Sequence, residues 1–85
     1  LGKSFHYPDR AVNREIQGTV HVSFTIDEQG NVVEPFVSKS VEYSLDREAM
    51  QIISNSGKWE PATHDGRPVL SYKIQPLGFR LGISK

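Results

Sequence analysis

The strongest constraint on the fold is an uninterrupted alternation of apolar and polar residues from Gly18 to Asp27. A two-residue period predicts a β-strand that has one face on a core and the other on solvent. This segment contains no proline, whereas the two other strand candidates each contain one, so it is expected in the middle of a sheet. The side chains predicted to face the core are Val20, Val22, Phe24 and Ile26.

A second strand is predicted from Asn31 to Ser40, antiparallel to the first. The two are joined by a tight turn in which Gly30 can adopt a positive φ. Alternation in the second strand is less regular and is interrupted by Pro35, which favours a position at the edge of the sheet.

A third strand is predicted near the end of the chain, where the alternation changes phase. Leu70, Tyr72 and Ile74 occupy even positions, and the apolar residues that follow Pro76 occupy odd positions. A β-bulge beside this proline would return both sets to one core-facing side. The third strand is therefore expected to be an exposed edge, with its free backbone groups confined to the residues before the bulge.

Two helices complete the predicted fold. A short N-terminal helix begins at Pro8 and ends before Gly18. A long helix spans about Leu45–Ser56, with Ser44 as its N-cap and Gly57 ending it in a left-handed conformation. The predicted class is α+β: a three-stranded antiparallel sheet in the order second, first, third, with the long helix packed on one face.

Composition excludes several function classes. The 85 residues suffice for one domain, and ten basic against ten acidic residues argue against a nucleic-acid partner. No cysteine is present, and His6, His21 and His64 fall in three different elements without metal-ligand spacing. We therefore expect no enzyme activity, no metal and no cofactor. The chain does not start with Met and is expected to be a fragment of a longer protein.

Several short motifs occur in a specific order across almost the whole chain, although each is weak alone. They are Tyr7-Pro8-x-x-Ala11, Gly18-x-Val20-x-Val22-x-Phe24-x-Ile26, Gly30-x-Val32, Leu45-Asp46-x-x-Ala49, Lys58-Trp59-x-Pro61-Ala62-x-x-x-Gly66-x-Pro68-Val69 and Pro76-x-x-Phe79-x-Leu81. In this order and spacing they resemble the TonB C-terminal domain family, in its broad branch from bacteria with many paralogues.

The resemblance implies a periplasmic domain of an inner-membrane-anchored protein coupled to the proton-driven motor ExbB–ExbD. Such a domain would bind the TonB box of an outer-membrane transporter by β-strand addition, and thereby drive active import. The implied docking strand comprises Val69, Leu70, Ser71, Tyr72, Lys73, Ile74 and Gln75, and the implied supporting segment comprises Phe5, His6, Tyr7 and Pro8.

Two alternatives remain open at this stage. The same fold occurs in extracytoplasmic sensor or docking modules of membrane signalling or peptidase-type proteins. It could also be a helper domain of a periplasmic enzyme whose catalytic part lies elsewhere. A free edge further allows a strand-exchanged homodimer.

Overall fold

The computed structural model describes residues 7–81. Within this range the chain forms two helices and five strands, most of them close to the predicted positions. In chain order they are α1 (Asp9–Asn13), β1 (Gly18–Ile26), β2 (Val32–Lys39), α2 (Tyr43–Ser54), β3 (Ala62–His64), β4 (Arg67–Val69) and β5 (Ser71–Phe79).

The main sheet contains three strands in the order β2-β1-β5, and both pairings are antiparallel. The proline-free strand is therefore central, as predicted, and β5 corresponds to the predicted third strand. Pairing between β1 and β5 runs without a register shift from Gly18 opposite Phe79 to Ile26 opposite Ser71. The α+β class and the strand order are confirmed.

The predicted bulge beside Pro76 is wrong. Register with β1 continues through this residue, which lies opposite His21. The apolar side chains before Pro76 consequently point away from the core: Tyr72 is 84% exposed and Ile74 60% exposed. The phase change in the sequence therefore marks a change in which face of one regular strand is apolar, since the core uses only the Leu77–Phe79 end of it.

The irregular strand is β2. Its register with β1 shifts twice, once between His21 and Val22 and once between Ser23 and Thr25. Glu34 has φ of 51°, a left-handed value that is unusual for a residue with a side chain. Together with the adjacent Pro35, these shifts explain why alternation is weak in this part of the sequence.

One hydrophobic core lies between the sheet and the helices. The predicted core face of β1 is buried, and α2 packs across β1 and β2. Leu77 and Phe79, in the last part of β5, and Ala11 of α1 complete the core. Its buried members are Ala11, Val20, Val22, Phe24, Ile26, Leu45, Ala49, Ile52, Ile53, Leu77 and Phe79.

The N-cap of α2 is Glu42, and the predicted cap Ser44 lies inside the helix. A Glu42 carboxylate oxygen accepts the backbone N–H of Ser44 at 2.9 Å and its hydroxyl at 2.5 Å. Its other oxygen accepts from Arg10 Nε at 2.6 Å, which ties α2 to α1. The Ser44 hydroxyl, the Arg10 guanidinium and backbone N–H groups lower the pKa of Glu42 to about 2, against the opposing effect of desolvation. Gly57 has φ of 82°, the left-handed conformation predicted after this helix.

The turn between β1 and β2 is joined to the segment after α2. Gly30, with φ of 86°, accepts the backbone N–H of Trp59 at 2.8 Å. A Cβ atom at residue 30 would lie 2.3 Å from the Trp59 carbonyl oxygen, so only glycine fits. The Trp59 ring packs on Phe24 with centroids 5.1 Å apart and donates its indole N–H to Ser56.

Strands β3 and β4 form a separate two-stranded hairpin before β5. Asp65 and Gly66 both have positive φ, as a type I′ turn requires. Val69 pairs with Ala62 in this hairpin. The predicted docking strand from Val69 to Gln75 is therefore divided between two sheets at Leu70.

Candidate functional site

The outer edge of β5 is the candidate site. Within residues 7–81, β5 pairs only with β1, so the backbone groups along its other edge have no strand partner. The strand is nine residues long and keeps one register along its whole length. A long and regular edge of this kind is the surface that strand addition requires.

The residues that present backbone groups outward can be identified from Pro76. Proline has no N–H, so its place in β5 costs no hydrogen bond to β1 only if its backbone groups point away from β1. The carbonyl of the paired residue His21 accepts the Ser38 hydroxyl at 3.3 Å, so it points toward β2, as this arrangement requires. Backbone direction alternates along a strand, so Tyr72 and Ile74 also point outward.

Above this edge, the open face of the sheet carries exposed apolar side chains. Ile74 and Phe36 flank Ser23 on either side, since both are its register partners. Phe36 is 58% exposed, and with Tyr72 it lines a shallow groove of about 730 Å³. An apolar surface therefore adjoins the free backbone groups.

The other face of β5 is polar at the same level of the strand. The Lys73 ammonium lies 5.6 Å from the centre of the Trp59 ring, within cation–π range. Ser71 and Gln75 share this face, and the Gln75 amide donates to the Pro76 carbonyl at 3.2 Å. The edge is thus apolar on one side and cationic on the other.

Residues 3–81 match the family described as Gram-negative bacterial TonB protein C-terminal. The chain belongs to this family. The resemblance found in the sequence is confirmed, and the domain is of the periplasmic, TonB-type energy-transduction kind, in a transport-related family that is not enzymatic. Members of the family generally interact with outer-membrane transporters. Comparison with curated proteins found no match to this chain.

The implied supporting segment of this TonB C-terminal domain is only partly described. Phe5 and His6 lie outside the described residues. Tyr7 is half-buried, with its ring edge-on to Phe79 at 5.6 Å, and its hydroxyl donates to the Ile16 carbonyl at 2.5 Å. Burial raises the pKa of the Tyr7 phenol, opposed by the charge of Arg80. Pro8 is the N-cap of α1.

Tyr7, the first described residue of the implied supporting segment, lies away from the implied docking strand. Tyr7 packs at the Phe79 end of β5, about 13 Å along the strand from Gln75 at about 3.3 Å per residue. Of the implied docking residues, Ser71 to Gln75 lie in β5, whereas Val69 lies in β4 and Leu70 between the strands. Of the implied docking residues, only Ser71–Gln75 therefore belong to one regular strand.

Sequence reasoning missed Phe36 as part of the candidate site of this TonB C-terminal domain. Its only sequence signal is the broken alternation next to Pro35, which makes the orientation of any β2 side chain ambiguous. Once the bulges are placed, Phe36 pairs with Ser23 and falls on the open face.

The described residues also bear on chemistry other than strand pairing. From Tyr7 to Leu81, no group of three or more His, Asp or Glu side chains is arranged to hold a metal ion. His64 and Asp65 form an exposed pair at 3.5 Å on the β3–β4 turn. Over the same range, neither helix has the length and apolar character needed to cross a membrane.

Proposed function

We propose that this domain binds the TonB box of an outer-membrane transporter by adding it as a strand to the free edge of β5. The binding couples the proton motive force across the inner membrane to active import. The observation that carries this proposal is the regular outer edge of β5, which pairs with no other strand of the described residues and has outward backbone groups at Tyr72 and Ile74. Family membership supplies the class of partner.

The expected affinity follows from the number of backbone bonds. An N–H and a C=O at each of two residues allow about four hydrogen bonds, each worth about 0.5–1.5 kcal/mol net. Association costs about 4–15 kcal/mol, so these bonds alone do not hold the complex. Apolar contact with the open face, at Tyr72 and Ile74, supplies a further contribution. The result is a transient and reversible complex.

The rest of the proposed assembly lies outside this chain. Residues 1–85 form one domain of a longer protein that is anchored in the inner membrane and acts with the ExbB–ExbD motor. A linker between anchor and domain carries the domain across the periplasm to the transporter.

A titration tests the docking edge. Addition of a synthetic TonB-box peptide to the ¹⁵N-labelled chain is expected to shift the backbone amide signals of Ser71–Gln75, with smaller shifts at Phe5–Pro8. Binding of an added strand protects the outward amides of Tyr72 and Ile74 from hydrogen exchange with solvent, because within Ser71–Gln75 only these two N–H groups gain new hydrogen-bond acceptors. Shifts confined to β2, or none at millimolar peptide, would refute the proposal.

A further inference from the structure

Lys73 is a cation on the candidate edge that lacks a carboxylate partner among the described residues. The ion pairs found from Tyr7 to Leu81 join Arg10 to Glu42 and His64 to Asp65, and neither involves β5. The Lys73 ammonium instead lies over the Trp59 ring, which offers a weaker attraction than an ionised carboxylate at hydrogen-bond distance. This charge is available to a ligand on the edge.

The pleat of a sheet determines which side chains of an added strand meet Lys73. Residues that lie opposite each other across a ladder point to the same face, with Cβ atoms about 4.5–5.5 Å apart. A residue opposite Lys73 therefore points to the polar face, toward the ammonium. Its two neighbours, opposite Tyr72 and Ile74, point to the open face beside the apolar groove.

We propose that the strand accepted by β5 carries a carboxylate side chain between two apolar ones, and that Lys73 selects it by pairing with the carboxylate. This inference rests on the proposed function, because it assumes strand addition at the same edge. Charge complementarity identifies the central residue as Asp or Glu. Contact with Tyr72 and Ile74 identifies the flanking residues as β-branched or aromatic, the types that fill a pleated surface well.

The same lysine disfavours a second copy of this chain as the occupant. In the antiparallel register that places residue 73 opposite itself, two ammonium groups would face each other across the ladder, and like charges in that position are destabilising. Lysine on an edge strand is a common protection against self-association. Lys73 thus discriminates between an acidic partner strand and the domain itself.

The test uses four blocked heptapeptides and the whole chain. The reference peptide is Thr-Thr-Val-Glu-Val-Thr-Thr; the second and third replace Glu by Gln and by Lys, and the fourth replaces both Val by Ser. Binding is followed by the amide signals of Ser71–Gln75 and by the fluorescence of Trp59, the single tryptophan, at low ionic strength.

The Glu peptide is expected to bind about two- to fivefold more tightly than the Gln peptide, as for an exposed ion pair, and the Lys peptide more weakly than both. The Ser peptide is expected to bind more weakly than the reference. In Lys73→Glu the preference reverses, so that the Lys peptide binds best. In the matched control Lys39→Glu, which makes the same change of charge on β2, the original preference persists.

The outcomes separate the two proposals. If all peptides shift the β5 amides with equal affinity, the role of Lys73 is refuted while strand addition stands. If no peptide shifts them, strand addition itself fails. If the β5 amides shift on concentrating the chain without peptide, a second copy occupies the edge and the selective role of Lys73 is refuted.

Discussion

The two edge strands of the sheet differ in regularity. β2 shifts register with β1 twice and contains both a positive φ at Glu34 and a proline at the next residue. β5 is longer, and it pairs with β1 over nine residues without a shift. Both strands contain one proline, yet Pro76 causes no irregularity because its backbone points away from the ladder.

The difference indicates that the two edges of the sheet are unequal as templates for an added strand. Bulges and local twist make the β2 edge a poor template for another strand, which is a common way to prevent edge-to-edge association. β5 lacks such irregularities and retains only Pro76 and Lys73 as protection. Regular pairing on one side of β5 therefore leaves a regular edge on its other side.

The largest expected effect is a loss of stability, and it tests which residues of β5 direct their backbone N–H and C=O groups toward β1. Lys73→Pro removes an N–H that points to Phe24 and leaves a carbonyl of the central strand without its donor, at a cost of about 2–3 kcal/mol in the free energy of unfolding. Ile74→Pro, at a position that points outward as Pro76 does, should cost less than about 1 kcal/mol. Urea denaturation of both variants measures the difference.

Equal costs for the two prolines would show that the assignment of outward residues is wrong. A larger cost for Ile74→Pro would show that Tyr72 and Ile74 face β1, and would move the free backbone groups to Ser71, Lys73 and Gln75.

The next effect concerns binding at the two edges. Ile74→Pro removes a donor that the added strand needs and should weaken the TonB-box peptide at least about tenfold, equivalent to about 1.4 kcal/mol. The control Ile74→Ala keeps the N–H and loses only apolar contact, so its affinity should fall about two- to threefold. Similar losses in both variants, or peptide-induced shifts in β2 amides, would contradict the proposed difference between the edges.

A smaller effect probes the strain in β2. Glu34→Gly should raise the free energy of unfolding by up to about 1 kcal/mol, because glycine adopts φ of 51° without the penalty of a Cβ atom. Glu34→Ala retains that penalty and should stay within about 0.5 kcal/mol of the parent. Thermal or urea unfolding distinguishes them, and a destabilised glycine variant would mean that the bulge is not strained.

The last prediction concerns the helix that covers the β2 side of the sheet. The pKa of Glu42 is lowered to about 2 in the folded chain, so its carboxylate stabilises the fold above its ordinary pKa near 4.5, and this contribution is lost as pH falls toward 2. The stability difference between the parent and Glu42→Gln should be constant near neutral pH and shrink over that interval. Urea unfolding between pH 7 and pH 2.5 measures it.

Asp27, whose pKa is lowered by the backbone N–H of Asn31, is present in both proteins, so its effect cancels in the difference. A difference that remains constant down to pH 2.5 would show that the Glu42 carboxylate does not stabilise the helix start.

The sequence predicted the elements whose signals are local. Strict alternation in Gly18–Ile26 identified β1, the absence of proline placed it centrally, and Gly57 marked the end of α2. The face of the sheet on which the β5 side chains lie was harder to predict, because Leu70, Tyr72 and Ile74 show the same alternation as residues that face a core. They are exposed because the core uses only the other end of β5, a fact that depends on tertiary packing.

The N-cap of α2, the β3–β4 hairpin and the extent of the implied docking strand could not be predicted from local sequence signals. Ser44 is a usual N-cap residue, but the N-cap is Glu42, whose carboxylate also binds Arg10, more than thirty residues away. The β3–β4 hairpin was missed, since the short segment before its turn shows no alternation. The implied docking residues came from family resemblance, and the fold divides them at Leu70.

The continuous register between β5 and β1 has a mechanical consequence. A pull on a strand bound along β5 acts parallel to the ladder, so it loads many hydrogen bonds at once instead of opening them one after another. The load passes from β5 to the central strand over nine residue pairs and then into the buried side chains of β1. A contact that is thermodynamically weak can therefore resist sliding along the strand direction while still separating readily when peeled from one end.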